Sequence, residues 1–507
     1  MRPGKIRLLS LALGASLLPF FGGGLAHAES LDASVQSAVQ NHPSVAAAQA
    51  RQAYAQEEAE EQYSGFLPQV SVNSSGGRIY GDNATSRGLS TTRGAGYSYL
   101  WEGGVTARQP IFDGFEASSR VDSAEAREKS AEYELRDTQE KLAYSAVQAY
   151  IDLMRARRGL EMLSTHRALA DDYTQRLANM IEQGGADEAQ LQQARDIQVI
   201  LEGLILDYQG QVKTAESNYF EATGRMPDGT LESPVPRLDL IPENLDQALV
   251  FARESDAAIQ AAAQKIVSSE SDIGVEKAAL YPALDSELSY QKTDKRDIIG
   301  GESLDARAML RMNWNFEVGG AQFDRIAKRK KEYMESQARR QEMERQVERE
   351  VRLAYAEAET ARRQKDVKQR RRDLNEKLFE TNKIQFDGGK LNLLQLMQSN
   401  NQYFTTQLEL MNSAYRELAA QYGILSSIGR LLESLDLGTP APTAPQEETK
   451  PEMDVSSVSE SAPVLPEAVP EEQGAMLSAP SLDSAAPLPP AQEQPAQNGN
   501  SDAPLTG

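Results

Sequence analysis

Apolar residues follow two rhythms along this 507-residue chain. In "YSYLWEGGVTARQPIF" the odd positions Tyr97, Tyr99, Trp101, Val105 and Ile111 are mostly apolar, while Ser98, Glu102, Thr106 and Arg108 fill even ones. Further on, Ala306, Ala308, Leu310, Met312, Trp314 and Phe316 alternate with Asp305, Arg307, Arg311, Asn313 and Asn315. A period of two belongs to a strand that is wetted on one face only. The segments before them, "QVSVNSS" and "ALDSELSYQ", run into Gly-rich or charged connections, so each pair reads as a hairpin. Strands are expected over about 67–75, 97–112, 283–292 and 304–316.

The second rhythm is helical. From Ser118 to Ile181 there is no proline and one glycine, Gly159, enough for roughly 95 Å of helix. Long helices are expected over about 118–181, 187–223, 321–386 and 391–428. The first pair is divided at Gly184 and Gly185 in "NMIEQGGADEAQLQQA", the second at Gly388 and Gly389 in "FDGGKLNLLQLMQSN". Glycine permits a tight reversal there.

The two halves match each other. Leu31, Asp32, Val35, Val45 and Pro68 recur 214 residues later as Leu245, Asp246, Leu249, Ile259 and Pro282. Arg120, Tyr150, Gly184, Leu191, Gln193, Gly224 and Arg225 recur 205 residues later as Arg325, Tyr355, Gly389, Leu396, Gln398, Gly429 and Arg430. The first copy is thus nine residues longer, and the excess is placed in "SGGRIYGDNATSRGLSTTRGAG". Residues 29–230 and 231–437 form two structural repeats, each a helix, a hairpin and two long helices.

Composition bounds the rest. The 6% aromatic content and mean hydropathy of -0.53 suit long helices better than large compact cores. Residues 1–28 read as a signal peptide: basic Arg2, Lys5 and Arg7, the apolar run "LLSLALGASLLPFF", and "AHA" before an expected cleavage after Ala28. No other run is apolar enough for a membrane helix, so a membrane location requires strands. Without cysteine there is neither a disulfide nor an acylated N-terminal Cys. A net charge of -22 argues against nucleic acid as a partner. Residues 438–507 hold 13 of the 23 prolines and are expected to be a disordered Pro/Ala/Glu-rich tail.

Four strands cannot close a barrel alone, since about 8 is the smallest number in bacterial barrels. Three copies would supply 12. The alternative is a small soluble sheet whose aromatic face packs on the helices. No catalytic constellation, phosphate loop or metal site is visible: no cofactor is expected and the protein reads as a non-enzyme. His166 reads as a packing residue, and the basic runs at 325–331 and 368–372 as solvated helix faces.

The duplicated unit, with "GFLPQVSV" and "ALYPALDSEL" opening the hairpins, "QPIFDGFEASSR" closing the first and "FDGGKLNLLQLMQSN" at the second glycine break, resembles the TolC family of outer-membrane channel-tunnels over about 30–435. The resemblance implies a mainly α fold with a small membrane β-barrel portion. It also implies a homotrimer in the bacterial outer membrane, with a 12-stranded barrel on a 12-helix coiled-coil periplasmic tube. Outer-membrane lipid, a periplasmic adaptor protein and an inner-membrane ABC transporter, or alternatively a proton-driven pump, are the implied partners. Gly184, Gly185, Gly388 and Gly389 become the periplasmic tip turns and adaptor docking points.

Gln190, Gln395 and Gln398 become the candidate lumen constriction, neutral where efflux members carry acidic residues. Phe386 and Leu391 stand where such members can carry a polar latch. Tyr97, Tyr99, Trp101, Tyr290 and Trp314 become candidate membrane-interface aromatics. The expected role is an exit duct for type I protein secretion, with multidrug or small-molecule efflux as the alternative and a non-pore periplasmic coiled-coil scaffold below both.

Overall fold

A computed structural model describes residues 29–81, 96–227, 229–295 and 302–438. Residues 1–28, where a signal peptide is expected, the expected tail beyond Gly438 and most of the long first hairpin connection lie outside them. The elements are α1 (Leu31–Asn41), α2 (Pro43–Tyr63), β1 (Gln69–Gly81), β2 (Gly96–Phe112), α3 (Glu116–Glu182), α4 (Glu188–Thr223), α5 (Leu245–Ser255), α6 (Ala257–Ala278), β3 (Ala283–Lys295), β4 (Glu302–Asn313), α7 (Ala321–Asp387), α8 (Leu393–Ser427) and α9 (Leu431–Ser434).

Several elements recur at the same fixed spacings as the sequence matches. Helices α1 and α5, and strands β1 and β3, begin and end 214 residues apart; α3 and α7 are each 67 residues long and lie 205 apart. Each long helix spans roughly 100 Å. Local chemistry sets the breaks. His42 caps α2 through Nδ1 with Pro43 at its first position, and Asp256 caps α6 by accepting from the Ile259 N–H at 3.0 Å.

Several strand bounds differ from the sequence expectation, β3 for example running to Lys295 rather than ending near 292. Strand β1 continues through Gly76 and Gly77 to Gly81 rather than ending near Ser75, its ladder with β2 unbroken from Gly76–Trp101 to Gly81–Gly96. Strand β4 stops at Asn313, so Trp314 and Phe316 fall in the turn before α7. That turn reverses at Gly320, φ 74°; its counterpart in the first repeat is Phe115, φ 70°, a left-handed backbone unusual for a bulky residue. Phe115 is held edge-on to Phe112 at 5.4 Å and Tyr281 at 6.4 Å, and Asp113 accepts the Ala117 N–H at 2.7 Å.

The four strands form one antiparallel sheet in the order β1-β2-β3-β4, with a bulge at Ile111. Beside it the helices pack as α2-α3-α6-α7, and beyond mid-length as α4-α3-α8-α7. Small residues draw these helices together: Ala143, Ala146, Ala149 and Ala156 of α3 are buried beside Ala215 and Ala222 of α4. Tyr150 and its repeat mate Tyr355 pin the linkers; the Tyr150 hydroxyl lies 2.7 Å from the carbonyls of Glu29 and Glu232, and Tyr355 donates to Pro242 O at 2.8 Å. Burial pushes the Glu140 carboxyl up to about 7 where it receives the Leu432 N–H and docks α9.

Gly159 is the tightest helix contact. A Cβ there would sit 2.0 Å from the ring of Tyr208, whose hydroxyl receives Asn412 Nδ2 at 3.0 Å. Gly159→Ala is therefore expected to lower stability by about 1–3 kcal/mol through overpacking. Gly203→Ala, on the open side of α4, should raise it by up to ~1 kcal/mol. Thermal unfolding followed by far-ultraviolet circular dichroism in detergent checks both; equal midpoints would refute the tight-contact account.

Candidate functional site

The sheet sorts its residues by face. Cross-strand partners share a side, so Val72, Val105, Tyr290 and Ala306 line up across one face, as do Ala107, Leu288 and Ala308. On this face Val70, Val72, Tyr99, Trp101, Leu288, Tyr290, Leu304 and Leu310 are all exposed, several by more than 60%. The aromatic face is bare, which overturns the alternative of a soluble sheet packed on its helices.

The opposite face is polar. Arg108 pairs with Asp285 at 2.5 Å, Arg311 with Glu287 at 2.9 Å, and Ser75 donates to Glu102 at 3.3 Å. Within the chain, β1 and β4 each have one neighbour, so their outer edges are open.

The expected interface aromatics occupy different depths. Tyr97 opens β2 next to the hairpin connection, and its side chain lies outside the described residues. Tyr99 lies under the Arg78 guanidinium at 5.7 Å, and Trp101 covers the space left by Gly103. Tyr290 is level with Val105, nearer mid-strand. Trp314 stands at the helical end of the sheet, its Nε1 donating to Leu280 O at 3.3 Å and its ring 4.7 Å from that of Phe316.

At the far ends of the long helices the two turns share one hydrogen-bond pattern. The Gly184 N–H donates to Ile181 O at 2.9 Å and that of Gly185 to Met180 O at 2.8 Å; Gly389 and Lys390 repeat this with Phe386 and Gln385. This is a Schellman closure. The glycine pairs are staggered by one position: Gly184 (φ 73°) and Gly389 (φ 68°) carry the left-handed residue, whereas Gly185 and Gly388 do not.

Behind the turns, Leu191, Leu393, Leu394, Leu396 and Met397 form an apolar tip core on which Phe386 and Leu391 pack. The three glutamines differ. Gln190 is half-buried; Gln395 and Gln398 are exposed. Gln395 closes a capping box, its N–H reaching Asn392 Oδ1 at 2.7 Å and its side chain receiving the Asn392 N–H at 3.4 Å. The exposed stripe continues to Gln402 and Thr405, two residues that the sequence reading missed although a spacing of three and four residues signals them.

His166 is buried, stacked on Phe404 at 3.8 Å with Nε2 3.2 Å from Asn401 Oδ1, and desolvation lowers its pKa. Of the basic runs, Arg329 pairs with Glu276, and Lys368 and Arg371 with Glu409. None of the described helices is long and apolar enough to cross a membrane.

The sequence pattern of the outer membrane efflux protein family matches residues 34–225 and 248–430. The chain belongs to that family. This outer membrane efflux protein is therefore an outer-membrane channel with a large periplasmic portion, and not an enzyme. It is 22% identical over 361 residues to the outer membrane efflux protein BepC of Brucella suis biovar 1 (strain 1330), covering 70% of this chain and 77% of that one. Its fold matches the Campylobacter jejuni CmeC outer membrane channel with a TM-score of 0.68 at 17% identity, over 79% of this chain and 86% of that. The Vibrio cholerae outer membrane protein VceC matches at 0.65 and 15%, over 79% and 96%. The open-state Neisseria gonorrhoeae MtrE channel matches at 0.66 and 13%, over 81% and 91%.

The stagger of the tip glycines has a measurable consequence in this efflux protein. Gly184→Ala and Gly389→Ala force an L side chain into a left-handed backbone and should each cost about 1–2 kcal/mol of local stability. Gly185→Ala and Gly388→Ala should change it by a few tenths. Hydrogen exchange of the amides in 180–190 and 385–395 distinguishes them, and equal protection in all four variants would contradict the assignment.

Proposed function

We propose that the chain is the outer-membrane exit duct of a tripartite export machine, working as a homotrimer with a periplasmic adaptor and an inner-membrane transporter. The observation that carries this reading is the sheet, with one bare apolar face, one polar face and two open edges. Joining β4 of one copy to β1 of the next removes the edges, turns the apolar face to lipid and the polar face to a lumen, and gives a 12-stranded barrel.

The aromatics fit the depth of such a barrel. Trp101 and Phe112 are eleven residues apart on β2, roughly 28 Å vertically at ~3.3 Å per residue and a ~40° tilt, close to the ~25 Å apolar band of outer-membrane barrels. Tyr99 and Trp101 belong at the outer girdle and Trp314 at the inner one, with Tyr290 between them.

Beyond mid-length the edge helices α4 and α7 carry exposed apolar stripes, Val199, Ile200, Leu204 and Leu206 on one and Leu353, Val367, Leu374 and Leu378 on the other. These suit burial between copies. The tip turns at Gly184, Gly185, Gly388 and Gly389 are the docking points for the adaptor.

Within this role the cargo is a secreted protein delivered by an ABC transporter. The neutral stripe after the second tip and the lack of cysteine support that assignment. Efflux of small molecules by a proton-driven pump is the second reading, supported by the name of the relative BepC. Deleting the gene separates them: loss of one or more extracellular proteins with little change in drug sensitivity is expected, and an unchanged extracellular proteome beside a large rise in sensitivity would overturn the secretion assignment. A heat-sensitive trimer that conducts in planar bilayers is expected of the purified protein; a non-conducting, water-soluble monomer would overturn the duct itself.

The constriction is tested at Gln398 and Gln395. Replacing both with Asp places six carboxylates near a narrow lumen and should raise cation over anion permeability several-fold. Because Gln395 also caps α8, Gln398→Asp alone should carry most of the change. Unaltered reversal potentials in assembled trimers would remove these positions from the selectivity site.

A further inference from the structure

We propose that the copies of the trimer are joined below the sheet by an ion-paired seam between α7 of one chain and α2 of the next, with Lys330 and Lys331 meeting Glu57 and Glu61. The proposal rests on the homotrimer argued above and names the residues that align it.

The helices beside the sheet repeat the strand order. α2 leads into β1, β2 into α3, α6 into β3 and β4 into α7, and the helices pack as α2-α3-α6-α7. Joining β4 to a neighbouring β1 therefore brings α7 to a neighbouring α2. The two run in opposite directions, since α2 enters the sheet and α7 leaves it.

Each of these helices has an unpartnered side. On α2 the buried residues are Val45, Ala48, Ala55 and Ala59; the reverse side presents Tyr54, Glu57 and Glu61 at spacings of three and four, with Tyr54 70% exposed. α7 faces α6 through Ile326, Arg329 and Ser336, the last two bonded to Glu276 at 3.2 Å and Ser269 at 2.8 Å. Beside that face Phe323, Lys330 and Met334 form an exposed stripe, with Lys331 further round; Phe323 and Met334 are exposed like Tyr54. The two sides thus have the same make-up, apolar residues flanking charges, with opposite signs.

Depth also agrees. Arg127 of α3 reaches Glu58 of α2 at 3.1 Å and Asp272 of α6 at 3.3 Å. Asp272 lies between Ser269 and Glu276, which meet Ser336 and Arg329 of α7. Glu58 is therefore level with the segment between Arg329 and Ser336, where Lys330 and Lys331 stand.

The charges are also available. Arg325, Arg329 and Arg339 of α7 are paired within the chain to Glu317, Glu276 and Glu335. Among the described residues Glu57, Glu61, Lys330 and Lys331 have no ion partner. Two unpaired anions and two unpaired cations at one depth, on edges that a closing sheet brings together, are complementary to a second copy of this chain.

The test uses the full chain extracted from outer membranes in mild detergent. Glu57→Lys with Glu61→Lys, and separately Lys330→Glu with Lys331→Glu, should lower the temperature at which the trimer dissociates on gels and raise the monomer fraction by light scattering. Helix content by circular dichroism should stay unchanged, since no intrachain pair is lost. All four substitutions in one chain restore opposite signs and should return the trimer to parental heat resistance.

Reversed variants as heat-resistant as the parent, or a fourfold variant no better than either reversal, would overturn the seam while leaving the trimer intact. A parent chain that is itself monomeric in the same detergent would overturn the trimer on which the seam rests.

Discussion

Everything in this molecule follows from a sheet that cannot satisfy itself. Four strands carry an apolar face that none of the described helices covers and two edges that have no strand partner among the described residues. In water both are costly, because exposed apolar area and unpaired edges favour association. Lipid answers the first need and further strands answer the second. An outer-membrane channel is the arrangement in which both answers are given together.

The helices solve a different problem. Their mean composition is polar, and α7 in particular buries few residues over its 67-residue length. Propensity alone holds such a helix weakly, and neighbours must supply the rest. They do so with small side chains. The alanine seam between α3 and α4, and Gly159 beneath Tyr208, let backbones approach closely without a thick apolar core. This is how a chain with 6% aromatic residues builds helices of roughly 100 Å, and why α4 and α7 still show apolar stripes at their outer edges.

Much of this was legible in the sequence because duplication turns weak local signals into paired ones. Alternation at Tyr97–Ile111 is ambiguous alone, but its recurrence near 304–316 makes the sheet, and with it the mainly α fold with a small strand portion, readable. Strand ends were less legible. The run through Gly76 and Gly77 reads as a loop because glycine carries no strand signal, yet both pair across the ladder, with Trp101 and Leu100. Trp314 continues the alternation although the chain has already left the ladder, because periodicity does not record hydrogen bonding. Of the candidate site, the glycine breaks were visible as pairs, but which glycine takes the left-handed backbone depends on the frame of the helix end and not on the dipeptide.

That frame also distinguishes the two tips. The repeats close with the same hydrogen bonds, yet Gly185 in the first is answered by Lys390 in the second, and Asp187 as a single cap is answered by Asn392 with Gln395 in a reciprocal box. The second return helix is thus more firmly anchored at its start, with its first exposed residues neutral. Phe386 and Leu391 add apolar contact where a polar latch would hold the tip by charge. A tip held by apolar packing gains nothing from ionic attraction and loses little to salt.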